Sequence, residues 1–174
     1  MKLKLGISFR SLLFVSFFVL LLSCQPSKIT PQVASNDMAV STDVKTLGKY
    51  INLPSPPIRV FWQTMDITKP SLAPGPTDWS LMGVLTFSEQ AIENIMQKSV
   101  RSQQMNRPYI QEQFVLDWFP LELKNSLTAS ETPGFWRINQ DGYEPDIFEK
   151  SPLLHGYFVR VGKTSDLFLY LHTQ

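Results

Sequence analysis

Residues 79–104 read WSLMGVLTFSEQAIENIMQKSVRSQQ, and this stretch decides the fold that we predict. Its first part, 79–87, predicts a strand, within which Gly83 marks either a bulge or the close approach of another segment. Ser88 is a suitable N-cap, and the spacing of the apolar residues after it predicts a helix over 88–104. The predicted buried face of this helix carries Ile92, Ile95, Met96 and Val100.

Further strands are predicted on both sides of this unit. Residues 58–65 and 135–139 are rich in β-branched and aromatic side chains, and 156–161 and 166–172 form a hairpin around a turn at 162–165. The links between most strands are short, and helices are few. This order predicts a single α+β domain with a mainly antiparallel sheet and one principal helix packed on it.

The amino terminus carries a different signal. Lys2, Lys4 and Arg10 precede an almost wholly apolar run at 12–22, which ends at Ser23 and Cys24. A basic segment, a short apolar segment and a small residue before a cleavage point are typical of a signal peptide. An uncleaved membrane anchor is the alternative, but it needs roughly 20 apolar residues and this run is shorter.

The residues Leu21-Leu22-Ser23-Cys24 resemble the lipobox of bacterial lipoproteins. An ordinary secretory signal is the competing interpretation, but Cys24 is the chain's only cysteine and has no disulfide partner within it. The resemblance implies cleavage after residue 23, lipid on Cys24 and attachment to a membrane through that lipid. Gln25 in place of Asp resembles the outer-membrane class, and we expect the domain on the periplasmic face.

Three segments follow from these patterns. Residues 1–23 are the predicted signal peptide, and 24–46 are the lipidated end with a flexible tether of small, polar and chain-breaking residues. The alternative is that part of this tether packs onto the domain. The α+β domain is predicted at 47–174.

The charge of the mature chain argues against nucleic-acid binding. The full chain has 16 Lys and Arg against 15 Asp and Glu, and loss of the three signal-peptide cations leaves 13 against 15, a net charge of −2. Nucleic-acid binding needs a clustered basic surface, which this balance does not favour. We therefore expect no nucleic-acid partner, and membrane attachment is expected through the lipid alone.

Few residues point to catalysis. Gly162-Lys163-Thr164 resembles the end of a phosphate-binding loop, but the glycine that should lie five positions earlier is Tyr157.

Asp117 lies in an apolar run at 114–119, interpreted as a strand or a buried turn, where a carboxylate must be paired or have a raised pKa. We expect an arginine partner, with Arg59, Arg137 and Arg160 as candidates, rather than a general acid or base. A short helix is predicted from Pro120 to residue 127.

The two histidines of the chain are the candidate metal ligands. If the 162–165 turn joins symmetrically paired strands, His155 lies opposite His172, and two imidazoles can begin a zinc or copper site. Such a site requires further ligands, and none is close in sequence. We therefore predict no metal site and no cofactor.

Residues 74–79, PGPTDW, form the most distinctive loop. Prolines restrict its backbone, and Thr77, Asp78 and Trp79 offer a hydroxyl, a carboxylate and an indole, which suits recognition of a partner. The alternative is that Trp79 fills the core.

The sequence thus indicates a lipid-anchored binding domain for another envelope component, most naturally a protein, rather than an enzyme. The alternatives are a structural spacer and a periplasmic hydrolase that uses carboxylates such as Asp78 and Asp117 on an envelope polymer or small molecule.

Overall fold

A central antiparallel sheet organises the computed structural model, which describes residues 39–67, 78–102 and 108–173. Its strands are β1 (Arg59–Asp66), β2 (Trp79–Thr86), β6 (Gly142–Tyr143), β7 (His155–Arg160) and β8 (Asp166–His172). Their order in the sheet is β1-β2-β8-β7-β6, and every neighbouring pair is antiparallel. Alternate side chains of β2 and β8 enter two separate hydrophobic clusters, as expected for a sheet covered on both faces.

Two helices cover the first face of this sheet. They are α1 (Val44–Tyr50) and the principal helix α2 (Glu89–Lys98), whose Ile92 and Ile95 pack among Leu81, Leu85 and the leucines of β8. The predicted start of α2 is confirmed, since Ser88 Oγ accepts a hydrogen bond from Ala91 N at 3.2 Å. The predicted α+β architecture is also confirmed.

Helix α2 ends earlier than predicted. Ser99 has extended backbone angles, and Arg101 forms a β-bridge with Tyr143 at the sheet edge. This pairing draws the chain away from the helix axis, and Val100 is therefore exposed rather than buried. Residues 103 and 104 of the predicted helix lie outside the described residues.

A smaller layer covers the second face. It contains the antiparallel sheet β3-β5-β4, with β3 (Tyr109–Gln111), β4 (Leu127–Ala129) and β5 (Phe135–Ile138). A 3-10 helix (Glu112–Phe114) and helix α3 (Leu121–Asn125) complete it. Phe114, Phe119, Leu123 and Ile138 of this layer pack on Met82, Val84 and Phe168 of the central sheet.

Residues 114–119, interpreted as a strand or a buried turn, begin in a 3-10 helix and continue as turns, so only the strand alternative is wrong. Asp117 is exposed rather than buried. Pro120 caps α3 instead of starting it, with extended backbone angles before Leu121. The apolar side chains of 114–119 pack on the sheet from a segment that is not a strand. Their spacing therefore does not show the alternation of a strand.

Gly83 marks a close approach, not a bulge. The register runs without interruption from Trp62 through Gly83 to Leu169. A Cβ atom on Gly83 would lie 3.4 Å from Trp62 Cβ and 3.3 Å from Leu85 Cδ1. The glycine therefore leaves room for the Trp62 and Leu85 side chains on this face of the sheet.

The folded part begins before the predicted boundary at residue 47. Ser41 exchanges backbone hydrogen bonds with Trp62, and α1 starts at Val44. The end of the predicted tether is therefore part of the domain. The predicted signal peptide and Cys24 lie outside the described residues. No helix in the part of the chain that the structure describes is long and apolar enough to span a membrane.

Candidate functional site

Asp78 and Trp79, two of the three predicted binding residues, lie at the start of β2, whereas Thr77 lies outside the described residues. The backbone of Trp79 is held by the residue that follows β8: its N–H donates to Thr173 Oγ1 at 3.3 Å, and its carbonyl accepts from Thr173 N at 3.1 Å. The Thr173 hydroxyl donates to Asp78 Oδ1 at 3.3 Å, and Asp78 O accepts from Ile67 N at 2.9 Å. Both residues are thus fixed to the sheet.

Trp79 belongs to a cluster of three aromatic rings that we call the aromatic patch, Tyr50, Trp62 and Trp79. The ring of Tyr50 lies 5.6 Å from Trp62 and 5.7 Å from Trp79, tilted by 58° and 75°. Trp62 is buried, Trp79 is partly buried and Tyr50 is 36% exposed. Edge-to-face contacts at these distances are favourable, so the outer two rings are ordered although they reach the surface.

Helix α1 positions Tyr50 in this patch. Asp43 caps the helix by accepting from Lys45 N at 2.9 Å and Thr46 N at 3.2 Å. The Thr46 hydroxyl donates to Asp43 Oδ2 at 2.6 Å, and these hydrogen bonds lower the pKa of Asp43 below its ordinary value of 3.8. Trp62 Nε1 donates to Asp43 O at 3.2 Å, which ties the cap to the patch.

The patch combines the properties of a contact surface. Two partly exposed aromatic rings offer apolar area with few rotatable bonds, and Asp78 directly precedes one of them in the chain. Every member stands on a helix or a strand or directly beside one, so little conformational entropy is lost when a partner is bound. The alternative that Trp79 only fills the core explains part of its position, because Trp79 packs against the first core cluster. Trp79 nevertheless stays partly exposed.

Tyr50 was not predicted as a binding residue from the sequence. The available signal was the Asp43-Val44-Lys45-Thr46 start of a capped helix, which places Tyr50 at the helix end. No local pattern says that this helix end lies against Trp79, because the contact joins residues 29 positions apart in the chain.

The carboxylates of the hydrolase hypothesis lie in different layers. Asp78 precedes β2 of the central sheet, and Asp117 is exposed in the layer on its second face, where Lys124 Nζ donates to its backbone carbonyl at 2.8 Å. Arg160, one predicted partner for Asp117, instead pairs with Glu93 at 2.8 Å. Three surface cavities of about 120, 380 and 440 Å³ are lined by neither Asp78 nor Asp117.

The histidine register is as predicted. His155 and His172 are directly paired across β7 and β8, with ring centroids 5.7 Å apart and an angle of 33° between ring planes. Burial of His172 lowers its pKa, and the charge of His155 lowers it further. Among residues 39–67, 78–102 and 108–173 no group of three or more His, Cys, Asp or Glu is arranged to hold a metal ion.

The Gly162-Lys163-Thr164 sequence forms the hairpin turn between β7 and β8. Gly162 has a φ of 58°, and Thr164 N donates to Val161 O at 3.1 Å. The glycine thus serves the left-handed turn, and the likeness to a phosphate-binding loop does not extend to the strand-to-helix setting that such a loop needs.

No protein-family model, curated protein or solved structure matches this chain.

Proposed function

We propose that this chain is a lipid-anchored protein of the bacterial outer membrane whose domain binds another envelope protein through the aromatic patch and Asp78. The observation that carries the binding surface is the contact of Tyr50 with Trp79, which presents two ordered aromatic rings at the surface. Trp and Tyr are the residues most often found at the energetic centres of protein interfaces. Attachment through Cys24 is supported by the lipobox resemblance, and the outer-membrane position by Gln25 after the cysteine, whereas the periplasmic face is an expectation.

The chemistry of the patch favours a protein partner with an apolar anchor and a nearby cation. The rings of Tyr50 and Trp79 provide apolar area around which water is excluded when a partner docks. Asp78, which precedes Trp79 and accepts a hydrogen bond from Thr173, makes the neighbourhood of these rings acidic and so favours a partner surface that carries a lysine or arginine. This arrangement sets both the position and the orientation of a docked partner.

In-cell photocrosslinking tests the proposal. A photoreactive phenylalanine analogue is placed at Tyr50, and in a matched control strain it is placed at Leu121. Leu121 is 66% exposed and belongs to the layer on the second face of the sheet, so it is an accessible position away from the patch.

The expected result is one dominant crosslinked protein at position 50 that is absent at position 121, identified by mass spectrometry. A second strain that carries Trp79→Ala with the probe at position 50 should lose this band. Identical products at positions 50 and 121, or no product at position 50 in a strain with normal expression, would contradict the proposal.

A further inference from the structure

The chain's only two histidines lie side by side at one end of the central sheet. His155 starts β7 and His172 ends β8, and the two residues face each other in the antiparallel register. Directly opposed residues in such a pair have Cβ atoms about 4.5–5.5 Å apart, so their side chains leave the sheet on the same face. The measured separation of 5.7 Å between ring centroids agrees with this placement.

Two imidazoles at this separation can share one metal ion. Zinc and copper bind imidazole nitrogen at about 2.0–2.1 Å, and the ion lies between the two rings when each turns one nitrogen toward it. The two strands fix the spacing of the pair, and only side-chain torsions have to adjust. The second imidazole therefore binds as an intramolecular ligand with a high effective concentration.

Each histidine contributes a different requirement of such a site. His172 is half-buried, and its Nδ1 atom is buried without a hydrogen-bond partner among the described protein atoms. Metal binds the neutral form of an imidazole ring. His155 is exposed and gives solvent access to the pair.

The Glu149 carboxylate interacts electrostatically with His155. Burial raises the pKa of Glu149, and the charge of Asp146 raises it further. The attraction to His155 lowers this pKa. A carboxylate whose charge reaches His155 favours a cation near the pair. It also disfavours the approach of anions.

We propose that His155 and His172 form a two-imidazole binding site for a late first-row divalent ion, with Cu²⁺ bound most tightly, and with water in the remaining coordination positions. The order among ions follows the general preference of nitrogen ligands, which peaks at copper. This inference does not depend on the proposed protein-binding function, because it uses the other face of the sheet.

A relocated histidine gives a matched control. The double variant His155→Asn with Lys163→His keeps two histidines in the chain but moves one to the exposed hairpin turn. At about 3.4 Å per residue, the turn lies more than about 20 Å from His172, too far for one ion to contact both rings. The variant removes only the adjacency of the pair.

The test uses the full chain in detergent, purified with a tag that contains no histidine, and Cu²⁺ as the probe. Electron paramagnetic resonance and calorimetric titration at pH 7.5 should show one ion per chain with two nitrogen ligands. The relocated variant should bind at least about tenfold more weakly, with the two-nitrogen signature lost. Each chain retains Cys24, so any contribution from its sulfur is the same in both.

Two controls keep the result interpretable. Circular dichroism checks that the variants fold. The relocated variant is expected to fold because both of its substituted positions, 155 and 163, are exposed. The variant His172→Asn should abolish the two-nitrogen signature as well. Equal Cu²⁺ affinity in the parent chain and the relocated variant, or the absence of a two-nitrogen complex in the parent chain, would overturn the proposal.

Discussion

The rings of Tyr50 and Trp79 meet nearly edge to face, with centroids 5.7 Å apart and an interplanar angle of 75°. One ring comes from the last residue of α1 and the other from the first residue of β2. The contact therefore fastens the amino-terminal helix to the sheet and at the same time defines the surface that we propose as the binding site. Stability and binding can be separated at this pair by choosing the substitution.

We expect Tyr50→Ala to lower the free energy of unfolding by at least about 1 kcal/mol, because two aromatic contacts are lost. Tyr50→Phe keeps both rings in contact and should leave the stability nearly unchanged. Urea denaturation followed by tryptophan fluorescence measures both variants. Equal stability of the alanine variant and the parent chain would mean that the contact does not hold α1 in place.

The Asp43 cap predicts an acid-dependent loss of stability. The pKa of Asp43 is lowered in the folded chain, mainly by the Thr46 hydroxyl, so the cap stabilises the fold above the ordinary pKa of 3.8. This stabilisation is lost as the pH falls below 3.8 through the lower folded-state pKa. We expect Asp43→Ala to lower the urea midpoint at pH 7 and to have a smaller effect at pH 2.5.

Asp43→Asn is the matched control for this cap. Asparagine can still accept the backbone hydrogen bonds but carries no titratable charge. It should retain part of the stability at pH 7 and show a flatter acid dependence than the parent chain. An alanine effect of the same size at both pH values would contradict the role of the ionised carboxylate.

Gly156 in β7 predicts one of the largest stability losses in the chain. Its φ is 138°, and an added Cβ would overlap the carbonyl oxygen of Tyr170 and lie 2.9 Å from Leu171 Cα. We expect Gly156→Ala to lose more than about 3 kcal/mol, since backbone of the neighbouring strand must move. Gly134→Ala is the control: its φ is 80° but no atom lies within 4 Å, so we expect a loss of about 1–2 kcal/mol.

Chemical denaturation of Gly156→Ala and Gly134→Ala measures the loss of stability in each variant. Equal losses at positions 134 and 156 would show that backbone conformation alone sets the cost. In that case the close approach of β8 would have no measurable effect.

The buried Tyr157 hydroxyl predicts an alkaline limit to stability. It donates to Tyr109 O at 2.9 Å, and burial raises its pKa well above the ordinary value of 10.0, with a smaller contribution from Tyr170. A raised pKa stabilises the fold below pH 10, and this contribution declines as the pH rises above 10, because the unfolded chain ionises first. Tyr157→Phe should lose about 1 kcal/mol at pH 7.

The same variant should decline less in stability than the parent chain between pH 9 and 11. Tyr50→Phe, which removes a partly exposed hydroxyl, serves as the control and should follow the parent chain. Urea midpoints across this pH range are the measurement. A parallel decline of Tyr157→Phe and the parent chain would refute the assignment to Tyr157.

The lipobox resemblance predicts that Cys24 determines membrane attachment. Cys24→Ser should abolish incorporation of labelled palmitate and release the chain from the outer-membrane fraction, because no other cysteine is available. Ser23→Ala keeps a small residue before the cysteine and should be labelled normally. Labelling of the Cys24→Ser chain, or its unchanged sedimentation with membranes, would refute the prediction.

Elements with strong local signals were predictable from the sequence. The Ser88 cap and the spacing of Ile92 and Ile95 lie within a few residues of each other, and they define the start and buried face of α2. The turn at Gly162 fixes the register of β7 and β8, from which the pairing of His155 with His172 follows by counting. The α+β class followed from the order of such elements.

The end of α2 and the three-stranded sheet were decided by tertiary contacts. Strands β3 and β4 have three residues each, too few to display an alternating pattern, and both exist through pairing with β5. Likewise, Arg101 leaves the helix because Tyr143 offers it a partner at the sheet edge. Asp117 is exposed because its segment crosses the sheet face along an irregular path.

The sequence by itself therefore determined the fold class, the principal helix and the hairpin, since caps, turns and periodic spacing act between near neighbours. It also named Asp78 and Trp79 as candidates for binding. Only the tertiary structure brought Tyr50 against Trp79 and placed Asp78 and Asp117 in different layers. These relationships depend on which faces of distant elements are buried together, and that choice is made by the packing of the whole domain.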